Sequence, residues 1–95
     1  MHRPAAIPTV QIDNEVVKVT EWRFPPGAET GWHRHEMRYV VVPQTNGQLQ
    51  LDTPDGTLIN ELTAGASYYR PVGIEHNVIN PSTEHEVVFI EVEIK

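Results

Sequence analysis

The run His33-Arg34-His35 places two of the chain's five histidines two residues apart. Side chains two apart on a strand leave the same face with Cα atoms roughly 6.5 Å apart, so the two imidazoles can converge on one ion. The pair is a weak signal by itself: at this histidine content about one chain in four carries a His-x-His by chance. Its value depends on the elements that hold it.

Those elements are strands. Eight prolines and six glycines break the chain so often that no window keeps a 3.6-residue apolar period over three turns. Between the breaks lie segments rich in Val, Ile, Thr, Tyr and Trp, which suit a pleated, half-buried surface. They predict strands over residues 16–24, 32–42, 47–52, 57–62, 67–70, 76–79 and 85–94. Asn46-Gly47 and Asp55-Gly56 supply the positive φ of tight hairpins. In the last strand Val88, Ile90, Val92 and Ile94 alternate with Phe89, Glu91, Glu93 and Lys95. That alternation predicts a buried aliphatic face and a wet opposite face. Short strands without a helix to cover them leave a sandwich, a jelly roll or a small closed barrel. Residues 1–9 read as an N-terminal arm and residues 10–95 as one all-β domain.

Composition bounds the function. Thirteen acids against seven Lys+Arg give a formal charge of -6, which repels a phosphate backbone, so no nucleic-acid partner is expected. Without cysteine there is no disulfide, thiolate nucleophile or Cys-bound zinc. The mean hydropathy is -0.38, and the longest aliphatic run is Val40-Val41-Val42, far short of the roughly 20 residues of a membrane helix. The start, from Met1 to Pro8, lacks the apolar stretch of a secretory signal. The expectation is a soluble, cytoplasmic protein that does not enter a membrane.

The histidine pair sits in a longer pattern, Gly27-x5-His33-x-His35, followed by Gly65-x5-Pro71-x-Gly73-x2-His76-x3-Asn80. Together these strings resemble the two sequence motifs of the cupin superfamily, over about residues 22–80. The stretch from Trp22 to Gly47 is also similar to short bacterial cupins grouped with β-alanine degradation. The resemblance implies a jelly-roll barrel and assigns His33, His35 and His76 to metal-ligand positions. It implies one divalent transition metal ion, with Fe, Zn, Ni, Cu and Co all suited to imidazole. The pattern departs where the family commonly has a glutamate, at positions held here by Tyr39 and Val40. Glu36 is too early and points off the histidine face of a regular strand. Three neutral imidazoles leave the ion its full double charge, so the site should attract anions, and positions stay open for a ligand. Occupancy should fall below about pH 6, where imidazole protonates.

Other residues divide between site and scaffold. Arg70 shares a strand face with Tyr68, opposite to Tyr69, and its planar fork suits a substrate carboxylate. Tyr39 can donate a hydrogen bond to the substrate or pack in the barrel. Trp22 and Phe24 fill the core, and His2 and His85 are exposed. Gly65, Gly73 and Pro71 shape the turns before His76, and Asn80 ties its own loop. Arg70 and Tyr39 are thus the candidates for orienting substrate.

The leading expectation is a metal-dependent dioxygenase of a small anionic metabolite. The alternative is a non-catalytic barrel that binds a metal and a small molecule as a sensor or accessory module. A sugar isomerase is disfavoured, because no positioned acid or base is evident. A barrel this small is expected to form a homodimer.

Overall fold

A computed structural model describes residues 2–95, and those residues form nine strands and no helix. The strands are β1 (Ile7–Asp13), β2 (Val17–Phe24), β3 (Glu29–Arg34), β4 (Arg38–Pro43), β5 (Gly47–Thr53), β6 (Gly56–Leu62), β7 (Tyr68–Arg70), β8 (Glu75–Ile79) and β9 (Val87–Ile94). Two sheets face each other: β1-β2-β9-β4-β7 and β3-β8-β5-β6. Every strand pair is antiparallel, which makes the chain a single all-β domain of jelly-roll type.

The core closes one end of the space between the sheets. Phe24 and Phe89 stack with centroids 5.5 Å apart, and Leu49, Leu62, Val78 and Val87 pack in the same cluster. Asn80, fully buried, ties this end: its amide donates to the carbonyls of Phe24, Pro25 and His85, and its Oδ1 accepts from Ser82 N. The other end stays open and carries the histidines.

The structure departs from the sequence reading in four places. Residues 32–42 are not one strand. β3 and β4 lie in opposite sheets, and the chain crosses between them at His35–Met37, held by His35 N on Ile74 O and Gly73 N on His35 O. The Asn46-Gly47 pair is likewise a crossover between sheets rather than a hairpin, with Asn46 Oδ1 accepting from Ala64 N; Asp55-Gly56 does turn the β5–β6 hairpin, with Gly56 at φ 124.

Strand β1 has no counterpart in the sequence reading, and it spans the expected arm boundary at residue 9, so residues 7–9 pair with β2. It is an edge strand, where the missing N–H of Pro8 costs the sheet nothing. Finally, the two faces of β9 are exchanged. Val87, Phe89 and Glu91 are buried between the sheets, while of the expected buried row only Val88 is buried and Ile90, Val92 and Ile94 are half-buried on the outside. Polar groups are tolerated inside because that end of the barrel holds a cavity rather than solid core.

Candidate metal centre

His33 lies on β3 and His76 on β8, directly opposite each other in the ladder. His35 follows β3 at the crossover, where its backbone is bonded on both sides to the strand-8 approach. The result brings three rings from two parts of the chain to one point. Nε2 of His35 is 3.0 Å from Nε2 of His33 and 3.1 Å from Nε2 of His76, and the three ligand atoms all lie within 4.8 Å of one another. Imidazole nitrogens at about 2.1 Å from an ion and about 90° apart stand about 3.0 Å from each other, whereas a tetrahedral angle would spread them to about 3.4 Å. These three nitrogens would hold a divalent ion at the mouth of the cavity.

Local bonds fix which nitrogen points inward. His33 Nδ1 donates to the carbonyl of Gly31 at 2.9 Å, which leaves its Nε2 as a bare lone pair. Gly31 sits at φ 86, and its N–H donates to Oδ1 of buried Asn77. Asn77 in turn donates to Glu29 at 2.8 Å. A chain of bonds thus runs from β8 through Gly31 to the ligand ring. With one Nε2 bare and its neighbours at contact distance, a single proton cannot satisfy every close nitrogen pair, but a cation can.

Burial sets the protonation. Burial, then the charge of His33, lowers the His35 pKa to about 4. Burial followed by the neighbouring His33 and His35 lowers His76 to about 3. Both rings stay neutral, and ready to ligate, well below the pH 6 expected from an unperturbed imidazole.

A cavity of about 190 Å³ opens from the histidines, room for roughly six waters at ~30 Å³ each. Val41, Leu49, Val78 and Phe89 form much of its wall, and its polar lining includes Thr30, whose hydroxyl is 3.3 Å from His33 Nδ1, with Tyr39, Arg70 and Glu91. Arg70 faces the cavity and Tyr69 faces out, half exposed. The Arg70 guanidinium lies 4.4 Å over the Tyr68 ring and donates to Tyr69 O, and it makes no salt bridge among the described residues. Tyr39 stacks on His35, and burial, then the Glu91 charge, raises its phenol so that it remains protonated. Of the other candidates, Glu36 and His85 are exposed, with His85 beside Glu84.

Sequence reasoning missed Glu91. Only 8% exposed, it lies on the inner row of β9 and faces the cavity. Burial, then Glu93, pushes its carboxyl up to about 7, against the opposing pull of the Trp22 indole and Lys18. Trp22 Nε1, itself buried, forms no hydrogen bond of good geometry, so its effect on Glu91 is that of a nearby dipole. The missed signal was the pair Glu91 and Glu93 at strand period, facing into a barrel whose interior needed polar lining.

Comparison with known proteins agrees with this geometry. The cupin domain family matches residues 20–93. The chain is 63% identical over 93 residues to the beta-alanine degradation protein BauB of Pseudomonas aeruginosa, covering 98% of this chain and 97% of that one. It superposes with a TM-score of 0.97 on the crystal structure of a cupin domain from Bordetella pertussis Tohama I, 70% identical, covering 100% of this chain and 98% of the other. The fold is also that of the polyketide cyclase RemF of Streptomyces resistomycificus, at TM-score 0.75, 21% identity and coverage of 99% and 70%. Matched over most of its length by the family and nearly end to end by a close relative, the chain belongs to the cupin family.

Proposed function

We propose that this cupin binds one divalent transition metal ion through His33, His35 and His76 and acts on a small anionic metabolite as a metal-dependent dioxygenase. The observation that carries this reading is the meeting of three Nε2 atoms in a cavity that Arg70 also lines, without a salt-bridge partner among the described residues. When bound, a redox-active ion would supply open positions for substrate and dioxygen and a path for electrons from the substrate to dioxygen. The chain's own residues do the rest. Arg70 offers a two-pronged donor to a carboxylate. Tyr39 keeps His35 in register and, being protonated, has a hydroxyl proton to donate. The aliphatic walls exclude water, which strengthens both polar contacts. The small cavity and the name of the Pseudomonas relative both favour a short catabolite of the β-alanine type.

The same reading has the protein act as a cytoplasmic homodimer. Ile12, Val19, Val92, Val40 and Tyr69 are register partners from strand to strand and form an apolar row across the outer face of the five-stranded sheet, a surface of the kind that marks protein contacts.

Oxygen uptake by the Fe²⁺-loaded protein across short amino acids, keto acids, semialdehydes and thiols tests the proposal. Substrate-dependent uptake supports it. A carboxylate ligand bound tightly without turnover in any metal form would place the protein among non-catalytic binding modules instead.

A further inference from the structure

Three neutral imidazoles leave a divalent ion uncompensated, so a balancing charge must come from another group of the cavity. Glu36 lies at the rim, exposed. Glu91 is different. It stands in the inner row that runs through Val41 to Tyr68, is 8% exposed, and lines the same cavity as the histidines. Its carboxylate makes no salt bridge among the described residues. A carboxylate so deeply placed is almost never left without a partner.

The partner it faces is the histidine centre. Ligand atoms of His35, Glu91 and Glu93 lie within 4.8 Å of one another, and His35 also belongs to the three-histidine cluster defined by the same limit. Glu91 is not in that cluster, so it flanks the three rings instead of joining them. We propose that Glu91 is the charge partner of the metal centre, supplied by the last strand: its carboxylate offsets the ion's charge from beside His35 and accepts a hydrogen bond from whatever ligand is held there. This rests on the reading of His33, His35 and His76 as metal ligands.

The test measures Co²⁺ affinity, by competition with a chromophoric chelator near neutral pH, together with the Co²⁺ absorption spectrum. The intact protein is compared with E91Q, E91D and E21Q. Glu21 is on the outer face of the same sheet, paired with Arg23, so E21Q removes the same charge away from the cavity. The intact protein and E21Q should bind one Co²⁺ per chain equally tightly. E91Q should bind about 10–100-fold more weakly, the usual effect of losing a group just outside the ligand set, with shifted absorption bands. E91D, with the charge drawn back by one methylene, should fall between them. Thermal melts without metal establish that each variant is folded, and if E91Q is not, E91D decides. Unchanged affinity and spectrum in the folded Glu91 variants would overturn the role of Glu91 and leave the three-histidine centre standing. No Co²⁺ on the intact protein would overturn both.

Discussion

Tyr39 lies nearly flat on His35, with ring centroids 4.0 Å apart and an angle of 24° between their planes. His35 is the middle ring of the cluster, the one in contact with both others, and the stack holds it in place at the point where the chain leaves β3. The hydroxyl is not needed for that. Y39F should therefore keep the metal affinity of the intact protein, while Y39A should lose about 10–100-fold in affinity. Because Tyr39 is buried in the core cluster, Y39A should also lose about 3–5 kcal/mol of stability. Chelator competition and urea unfolding read the two effects separately.

The depressed histidines predict an acid transition in the metal-free protein. A folded pKa of about 4 for His35 and about 3 for His76 means the unfolded chain takes up these protons first, near pH 6.5. The stability they contribute is complete above that value and falls as pH drops towards 4 and 3, by an amount on the order of several kcal/mol. Urea midpoints of the metal-free protein should decline steadily from pH 7 to pH 4, and H76N should flatten the decline. Saturating Zn²⁺ should stabilise the protein at pH 5 as well as at pH 7 and lose its effect towards pH 4 and below, where protons compete with the ion for His35 and His76.

How far the site was legible follows from its geometry. His33, His35 and His76 are legible only through the resemblance of the two motifs to cupins, because the spacing of His33 and His35 alone is a weak signal and His35 is set by the crossover after β3. The break of residues 32–42 at His35–Met37 was invisible, because it is imposed by bonds from His35 to Ile74 and Gly73, remote in sequence. The faces of β9 were misread because alternation fixes only that two faces differ. Which one points inward depends on whether the interior is core or cavity. Val92 therefore seemed buried and Glu91 wet, and the second error hid a residue of the site.

The outward row on β9 bears on assembly. If Ile12, Val19, Val92, Val40 and Tyr69 form the contact between subunits, a charge placed at its centre should break it. V92R is expected to run as a monomer of about half the native mass in light scattering across micromolar concentrations, with its metal affinity intact. A native solution mass equal to a single 10.8 kDa chain would remove the dimer altogether.

Arg70 should govern ligand choice without governing the ion. Its guanidinium is in the cavity, braced by Tyr68 and by the Tyr69 carbonyl. R70Q should weaken binding of short carboxylates about 10–100-fold, the scale of losing charge-assisted bonds of about 1.5–3 kcal/mol. It should leave the corresponding neutral amides unaffected. R70K should recover only part of the loss, because a point charge does not reproduce the fork. Calorimetric titration of metal-loaded protein with each ligand pair checks this, with metal content per chain measured alongside.

Glu91 makes the opposite pH signature to the histidines. Its carboxyl is raised to about 7 from an ordinary value near 4.3, so the folded state holds a proton that the unfolded chain has already lost. The stability from this group is complete below about pH 4 and is lost as pH rises through 7, by up to about 3 kcal/mol. In metal-free protein E91Q should therefore raise the unfolding midpoint at pH 8 and leave it nearly unchanged at pH 4.5. Saturating metal should narrow the pH 8 difference, because an ion beside the ionised carboxylate compensates the charge that burial penalises. A gain at pH 8 that metal does not narrow would show that the carboxylate is strained by its surroundings without serving the ion.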